Sequence, residues 1–137
     1  FGGGLALGEV LATSGASVVL GQQLAGLLQG APPWTMLLAV AAFMVLLTEF
    51  ASNTAAAALL VPVFAAVAPQ LGLPAGTLVV VVALAASCGF ALPVATPPNA
   101  LVFGSGRVRQ RDMLRAGLWL DLVCIGVLTV WGVVTLL

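Results

Sequence analysis

Two short polar stretches interrupt an otherwise apolar chain, "FASNT" at 50–54 and "VATPPN" at 94–99. Each joins an asparagine and a threonine to small or proline residues. Neither sets a nucleophile beside a base. Histidine is absent from the whole chain, which removes the commonest general base and metal ligand. The chemistry left to these residues is coordination by neutral groups. Hydroxyls and amides donate or accept, so they serve an ion of either sign. Backbone joins in if each stretch separates two half-helices. The helix that ends there exposes unpaired carbonyls and partial negative charge, which suits a cation such as Na⁺. The helix that begins there exposes N–H groups and partial positive charge, which suits a carboxylate, phosphate or sulfate oxygen. In the first stretch the cation end falls at 48–51 and the anion end near Thr54 and Ala55, with Ser52, Asn53 and Thr54 between. In the second, the prolines at 97 and 98 leave the Ala95 and Thr96 carbonyls free, and Asn99 follows. A coupled cation and anion site is thus available without any charged residue, and an enzyme is not expected.

Elements must hold these stretches in place, and composition says in what solvent. The chain is 62% hydrophobic and 6% charged, with a mean hydropathy of +1.24. Soluble domains lie near half apolar and a quarter charged. An all-α integral membrane protein in contact with the lipid bilayer is predicted. A helix needs roughly 20 apolar residues to cross a core of about 30 Å. Residues 34–47 and 55–68 each reach only about 21 Å, while one helix through 34–68 would reach about 52 Å. Two half-length helices meeting at a polar tip, a re-entrant hairpin, fit better than one long tilted span. The run "TLVVVVALAASCGFAL" at 77–92 is followed by three prolines within "PVATPPN" and then a short "ALVF". Proline removes a backbone donor and disfavours helix at the residue before it, so this segment reads as a broken transmembrane helix. Residues 116–137 read as a plain terminal span.

Four segments result. Residues 1–30 hold the end of a truncated span and an interfacial helix with Leu20, Leu24, Leu27 and Leu28 on one face. Residues 31–72 form the re-entrant hairpin, open to the outside, with its tip at 48–54. Residues 73–106 form the broken helix, unwound at 93–99. Residues 107–137 supply a basic loop and the last helix. The first residue is not Met and the chain starts inside an apolar run, which predicts a piece of a longer reading frame.

The only basic residues are Arg107, Arg109, Arg111 and Arg115. Their clustering makes 107–115 a cytoplasmic loop by the positive-inside rule. Net charge is zero, so no nucleic-acid partner is implied. Cys88 and Cys124 show no disulfide or metal spacing and read as small packing residues. Glu49 is either a coupling site or a structural anchor near the tip. Asp121 lies one turn inside the last helix, where it is expected to face water or an arginine. The glycines of "FGGG" read as close helix packing rather than a phosphate loop, since no lysine follows.

The pieces "TEFASNTAAAALLVPVF" (48–64) and "ASCGFALPVATPPNALVFGSG" (86–106) resemble the divalent anion:sodium symporter family, the di- and tricarboxylate carriers. The likeness covers essentially the whole chain and corresponds to the family's C-terminal half. It implies that Ser52, Asn53 and Thr54 contact a substrate carboxylate at the hairpin tip. It implies that Thr96, Pro97 and Pro98 line the substrate pocket. It implies that Thr48, Ala51, Asn53 and Ala95 help hold Na⁺, the coupling ion, with no organic cofactor. It also implies a homodimer working as an elevator, in a membrane expected to be the bacterial inner membrane. The family carries two inverted repeats, each with its own "SNT" tip, and this chain has one; it is expected to lack the N-terminal repeat as a truncated chain, a fragment of a longer reading frame or a half-carrier needing a partner. The expected function is Na⁺-coupled transport of a dicarboxylate such as succinate, malate or fumarate. A Na⁺-independent exchanger, a sulfate or citrate carrier, and a non-transporting membrane subunit or fragment stay open as alternatives.

Overall fold

The computed structural model describes residues 13–136 together with Ala6 and Val10. The span expected to end within residues 1–12 lies outside the described residues, those two positions apart. All regular structure among the described residues is helical: α1 (Ala16–Leu27), α2 (Pro33–Phe50), α3 (Asn53–Val67), α4 (Ala75–Ala85), α5 (Pro97–Gly104) and α6 (Gln110–Leu136). A 3₁₀ turn, Ala68–Leu71, prolongs α3. The segments Pro33–Phe50, Asn53–Leu71 and Gln110–Thr135 are long and apolar enough to cross a membrane.

Local sequence explains where these helices start and stop. Pro33 opens α2 at a position whose N–H would be unpaired anyway, and the Thr35 hydroxyl donates to the Pro32 carbonyl at 2.6 Å. Leu37, Val40, Ala41, Met44, Val45 and Thr48 recur at helical spacing and are buried. The helix stops at Phe50 because Ala51 turns extended, with φ −122° and ψ 159°. Ser52 then caps α3. Gly72, at φ 74°, supplies the left-handed turn that leads to α4.

The chain folds back between α2 and α3. Phe43 and Phe64 meet edge to face with centroids 6.3 Å apart. An unbroken helix would hold them about 30 Å apart. The two arms touch little beyond this; α4 packs against both and also against α6. Leu78, Val81 and Val82 of α4 are therefore fully enclosed, among Leu37, Val40 and Met44 of α2 and Leu60 and Phe64 of α3. The helix α6 runs opposite to α2. A side chain at Gly132, near its end, would meet Leu37 near the start of α2. Its other face leaves Trp119, Leu122, Val130 and Val134 exposed.

Several expected boundaries move. The arms are longer than 34–47 and 55–68, because helix continues through Thr48, Glu49 and Phe50. Thr48 satisfies its hydroxyl within the helix, donating to the Val45 carbonyl at 2.9 Å. The break in the broken helix lies at 86–96, not 93–99. The prolines at 97 and 98 open α5 instead of sitting in the unwound part, since proline suits the first helical turn. Arg111 and Arg115 stand on the first turns of α6 rather than in a loop. In α1, Leu24 and Leu28 pack on the core but Leu27 is exposed.

Candidate functional site

The hairpin tip and the break converge. Ser52, Asn53 and Thr54 face Ser87, Phe90 and the run Val94–Asn99 across a cavity of about 490 Å³. Two helices begin at its wall. Ser52 caps α3 by accepting from the Ala55 N–H at 3.5 Å, and Thr96 caps α5 by accepting from the Asn99 N–H at 3.4 Å. These bonds are long, so both helix starts keep their hydroxyls and much of their positive potential available to the cavity. Two helices also end there: α2 at Ala51, and α4 at Ala86 just before Ser87. The cavity thus meets helix ends of both signs and no charged side chain lines it.

Of the residues expected to form the site, Ser52, Asn53, Thr54, Ala95, Thr96, Pro97, Pro98 and Asn99 line the cavity. Thr48 and Ala51 do not; they are buried behind it. Gly89 brings the break against Thr48: a side chain there would sit 3.4 Å from the Thr48 carbonyl and hydroxyl oxygens and from the Ala95 methyl. Thr48 and Ala95 therefore meet beside Gly89, while Asn53 lines the cavity and Ala51 is buried next to the tip. The Asn53 Oδ1 is buried and accepts no hydrogen bond, the one such side-chain atom among the described residues. An unpaired buried acceptor costs about 1–3 kcal/mol, a cost that a donor or a cation offsets.

What holds the break in a non-helical path is a set of side chains. Glu49, buried on α2, accepts from the Ala91 N–H at 2.8 Å with one oxygen and from the Leu92 N–H at 2.7 Å with the other. Asp121, buried on α6, accepts from the Phe90 N–H at 3.2 Å. Asn99 donates through Nδ2 to the carbonyls of Gly89, at 3.2 Å, and Leu92, at 3.0 Å. Three successive N–H groups thus go to two carboxylates on two helices. Unhelical backbone at membrane depth persists only where protein satisfies it in this way.

Of the two roles open to Glu49, coupling site or anchor, these bonds are the contacts of an anchor. Asp121 is the correction: it faces neither water nor arginine, but the break. All four arginines are exposed, and the one ion pair among the described residues is Arg109–Asp112 at 2.8 Å. A local signal for Asp121 does exist. Gly117 lies one turn before it on the same face, and a side chain at 117 would come within 2.3 Å of the Ala91 Cα. A glycine followed four residues later by an acid marks a helix face that another backbone touches. The pairing of Cys88 with Cys124, whose side chains are in contact, has no such signal.

Asn99 offers a first test. Asn99→Ala leaves the Gly89 and Leu92 carbonyls without this donor, at an expected cost of about 1–2 kcal/mol. Denaturant unfolding of the purified protein in detergent measures it. Asn99→Asp should be no better, since an ionised carboxylate only accepts. Full stability in both variants would show that the two bonds hold nothing.

Membrane-length apolar helices, with a fold-back and a break that share a cavity lined by no charged side chain, point to the class of membrane transport proteins. The chain belongs to the family of the sodium:sulfate symporter transmembrane region, whose model matches residues 1–136. It is 51% identical over 132 residues to an uncharacterized transporter of Haemophilus influenzae, covering 96% of this chain and 29% of that protein. It is 41% identical over 128 residues to the sodium-dependent dicarboxylate transporter SdcS of Staphylococcus saprophyticus, covering 93% and 24%. An uncharacterized transporter of Methanocaldococcus jannaschii is 38% identical over 136 residues, covering 99% and 31%. The chain thus spans about a quarter to a third of the length of the curated relatives it matches. It is an integral membrane protein of a transporter family, not an enzyme.

Proposed function

We propose that this chain supplies the C-terminal half of the transport site in a Na⁺-coupled carrier of dicarboxylates. Ser52, Asn53 and Thr54, with Thr96, Pro97 and Pro98, take up a carboxylate at the two helix starts. Thr48, Ala51, Asn53 and Ala95 hold the Na⁺ that is carried with it. The observation that carries this reading is the buried, unpartnered Oδ1 of Asn53, a residue that lines the cavity. An acceptor there fits a cation and leaves the amide nitrogen for an anion. A dicarboxylate has a second carboxylate, and the other helix tip, from an N-terminal repeat, is its natural partner.

The hairpin enters and leaves by the external face in this reading. Its tip packs on the break, which touches α6 at Gly117 and Asp121, only about 10–16 Å from the Gln110 end. The basic residues at 107–115 lie beyond, on the cytoplasmic side. An elevator motion, a homodimer and a bacterial inner-membrane location complete the picture. Sulfate is the second reading, favoured by the family's description. Its tetrahedral oxygens suit the same neutral donors.

The test is uptake of labelled succinate into proteoliposomes by the longest reading frame that carries this chain. An inward Na⁺ gradient should drive it, and Asn53→Ala should reduce it by at least about tenfold, the loss of one well-placed ligand. Unchanged uptake in Asn53→Ala would sink the site assignment. Competition by sulfate but not by malate would transfer the site to the second reading.

A further inference from the structure

We infer that Asp121, which lies outside the cavity, is a positioning residue for its cation-holding end. This rests on the proposed transport function. The starting point is the bookkeeping of backbone groups in the break. The N–H groups of Phe90, Ala91 and Leu92 go to Asp121 and Glu49, not to carbonyls of the same stretch. Two of its carbonyls, those of Gly89 and Leu92, go to Asn99, and Leu92 also accepts from the Ala95 N–H at 3.2 Å. The three N–H groups are thus held by side chains of α2 and α6, and the Phe90 carbonyl oxygen lies against α6 at Gly117.

The Asp121 bond fixes the first of the three N–H groups, and its placement makes it decisive. Gly89, the preceding residue, lies where an added Cβ would sit 3.4 Å from the Thr48 oxygens and the Ala95 methyl. Phe90 itself lines the cavity. A shift of the Phe90 amide therefore moves both the cation end and the cavity wall. Glu49 already holds the next two amides, one with each oxygen, and leaves Phe90 to Asp121. Gly117, one turn earlier on α6, brings the two backbones so close that the reach from Asp121 to Phe90 is set to a single side-chain length.

Length and charge can be separated. Asp121→Asn keeps an oxygen at the same reach and loses the charge; its amide nitrogen can donate to Glu49 beside it. Asp121→Glu keeps the charge and pushes the oxygen one methylene further. If Asp121 positions the break, Asn is the better substitute. The Na⁺ concentration for half-maximal succinate uptake should stay within about twofold of wild type in Asp121→Asn and rise at least about tenfold in Asp121→Glu. At saturating Na⁺ the maximal rates should differ much less. Amide hydrogen exchange over residues 86–96 of the same variants, in detergent, gives a readout independent of transport. It should speed up in Asp121→Glu and not in Asp121→Asn. The reverse order, with Asp121→Glu near wild type and Asp121→Asn impaired, would overturn the inference in favour of a charge effect. Two variants both like wild type would overturn it outright. Uptake by wild type that ignores Na⁺ would instead remove the transport reading on which it rests.

Discussion

A single methyl group at position 117 is expected to unfold the centre of the molecule. The Cβ of Gly117→Ala would lie 2.3 Å from the Ala91 Cα and 2.4 Å from the Phe90 carbonyl oxygen. Both are backbone atoms, so no flexible side chain can swing aside. The break would have to leave α6, losing the bond from Phe90 to Asp121 and straining those from Ala91 and Leu92 to Glu49 on α2. Overpacking costs about 1–3 kcal/mol and each buried group left unpaired adds about as much. A total on the order of 3–5 kcal/mol follows, enough to remove most of the folded population of a marginal protein. Gly126, further along the same helix, has nothing within 4 Å of where a Cβ would sit. Gly126→Ala should therefore match wild type in expression, in size-exclusion profile and in unfolding midpoint. Equal behaviour of the two alanine variants would mean that the close approach at 117 is not what holds the break.

Glu49→Gln is expected to be nearly as damaging, although it changes no volume. The carboxylate uses both oxygens, at 2.8 and 2.7 Å, on adjacent N–H groups. A glutamine has one oxygen, and whichever way its amide is turned, one of the two N–H groups faces another donor. Bonds to a charged acceptor are worth about 1.5–3 kcal/mol, and the stranded N–H adds its own penalty. A loss on the order of 3 kcal/mol is anticipated in detergent unfolding, with transport falling in parallel. Glu49→Asp should fail as well, because a stem one methylene shorter does not bring the carboxylate within reach of the two N–H groups. A glutamine variant as stable as wild type would return Glu49 to the role of an ion-coupling group.

The site was more legible in the sequence than the path that holds it. The tip at Ser52–Thr54 and the pair of prolines at 97 and 98 announce themselves, because serine, asparagine and proline carry local rules for where helices begin. The same rules place the prolines inside the first turn of α5, a detail that the broken apolar run obscured. The stretch 86–92, "ASCGFAL", is different. Nothing in its composition forbids helix, and by hydropathy it continues α4. It is unwound because Glu49 and Asp121, 42 and 31 residues away from the amides they meet, offer better partners than the next turn would. Contacts at that separation leave no period in a sequence. The partner of Asp121 is hidden for the same reason: the arginines at 107–115 are its neighbours in the chain, whereas Phe90 comes from across the fold.

Glu49, Asp121 and Asn99 grip one short piece of backbone from three different helices, with Gly117 making room for it. Their contributions therefore cannot be summed. Once one grip is released, the piece is free to move and the others lose the geometry that gave them value. In a library of double variants, pairs drawn from these four positions should cost clearly less than the sum of their single losses, whereas pairs joining one of them to Gly126 should add. The four would behave under selection as one composite position, tolerated or lost together.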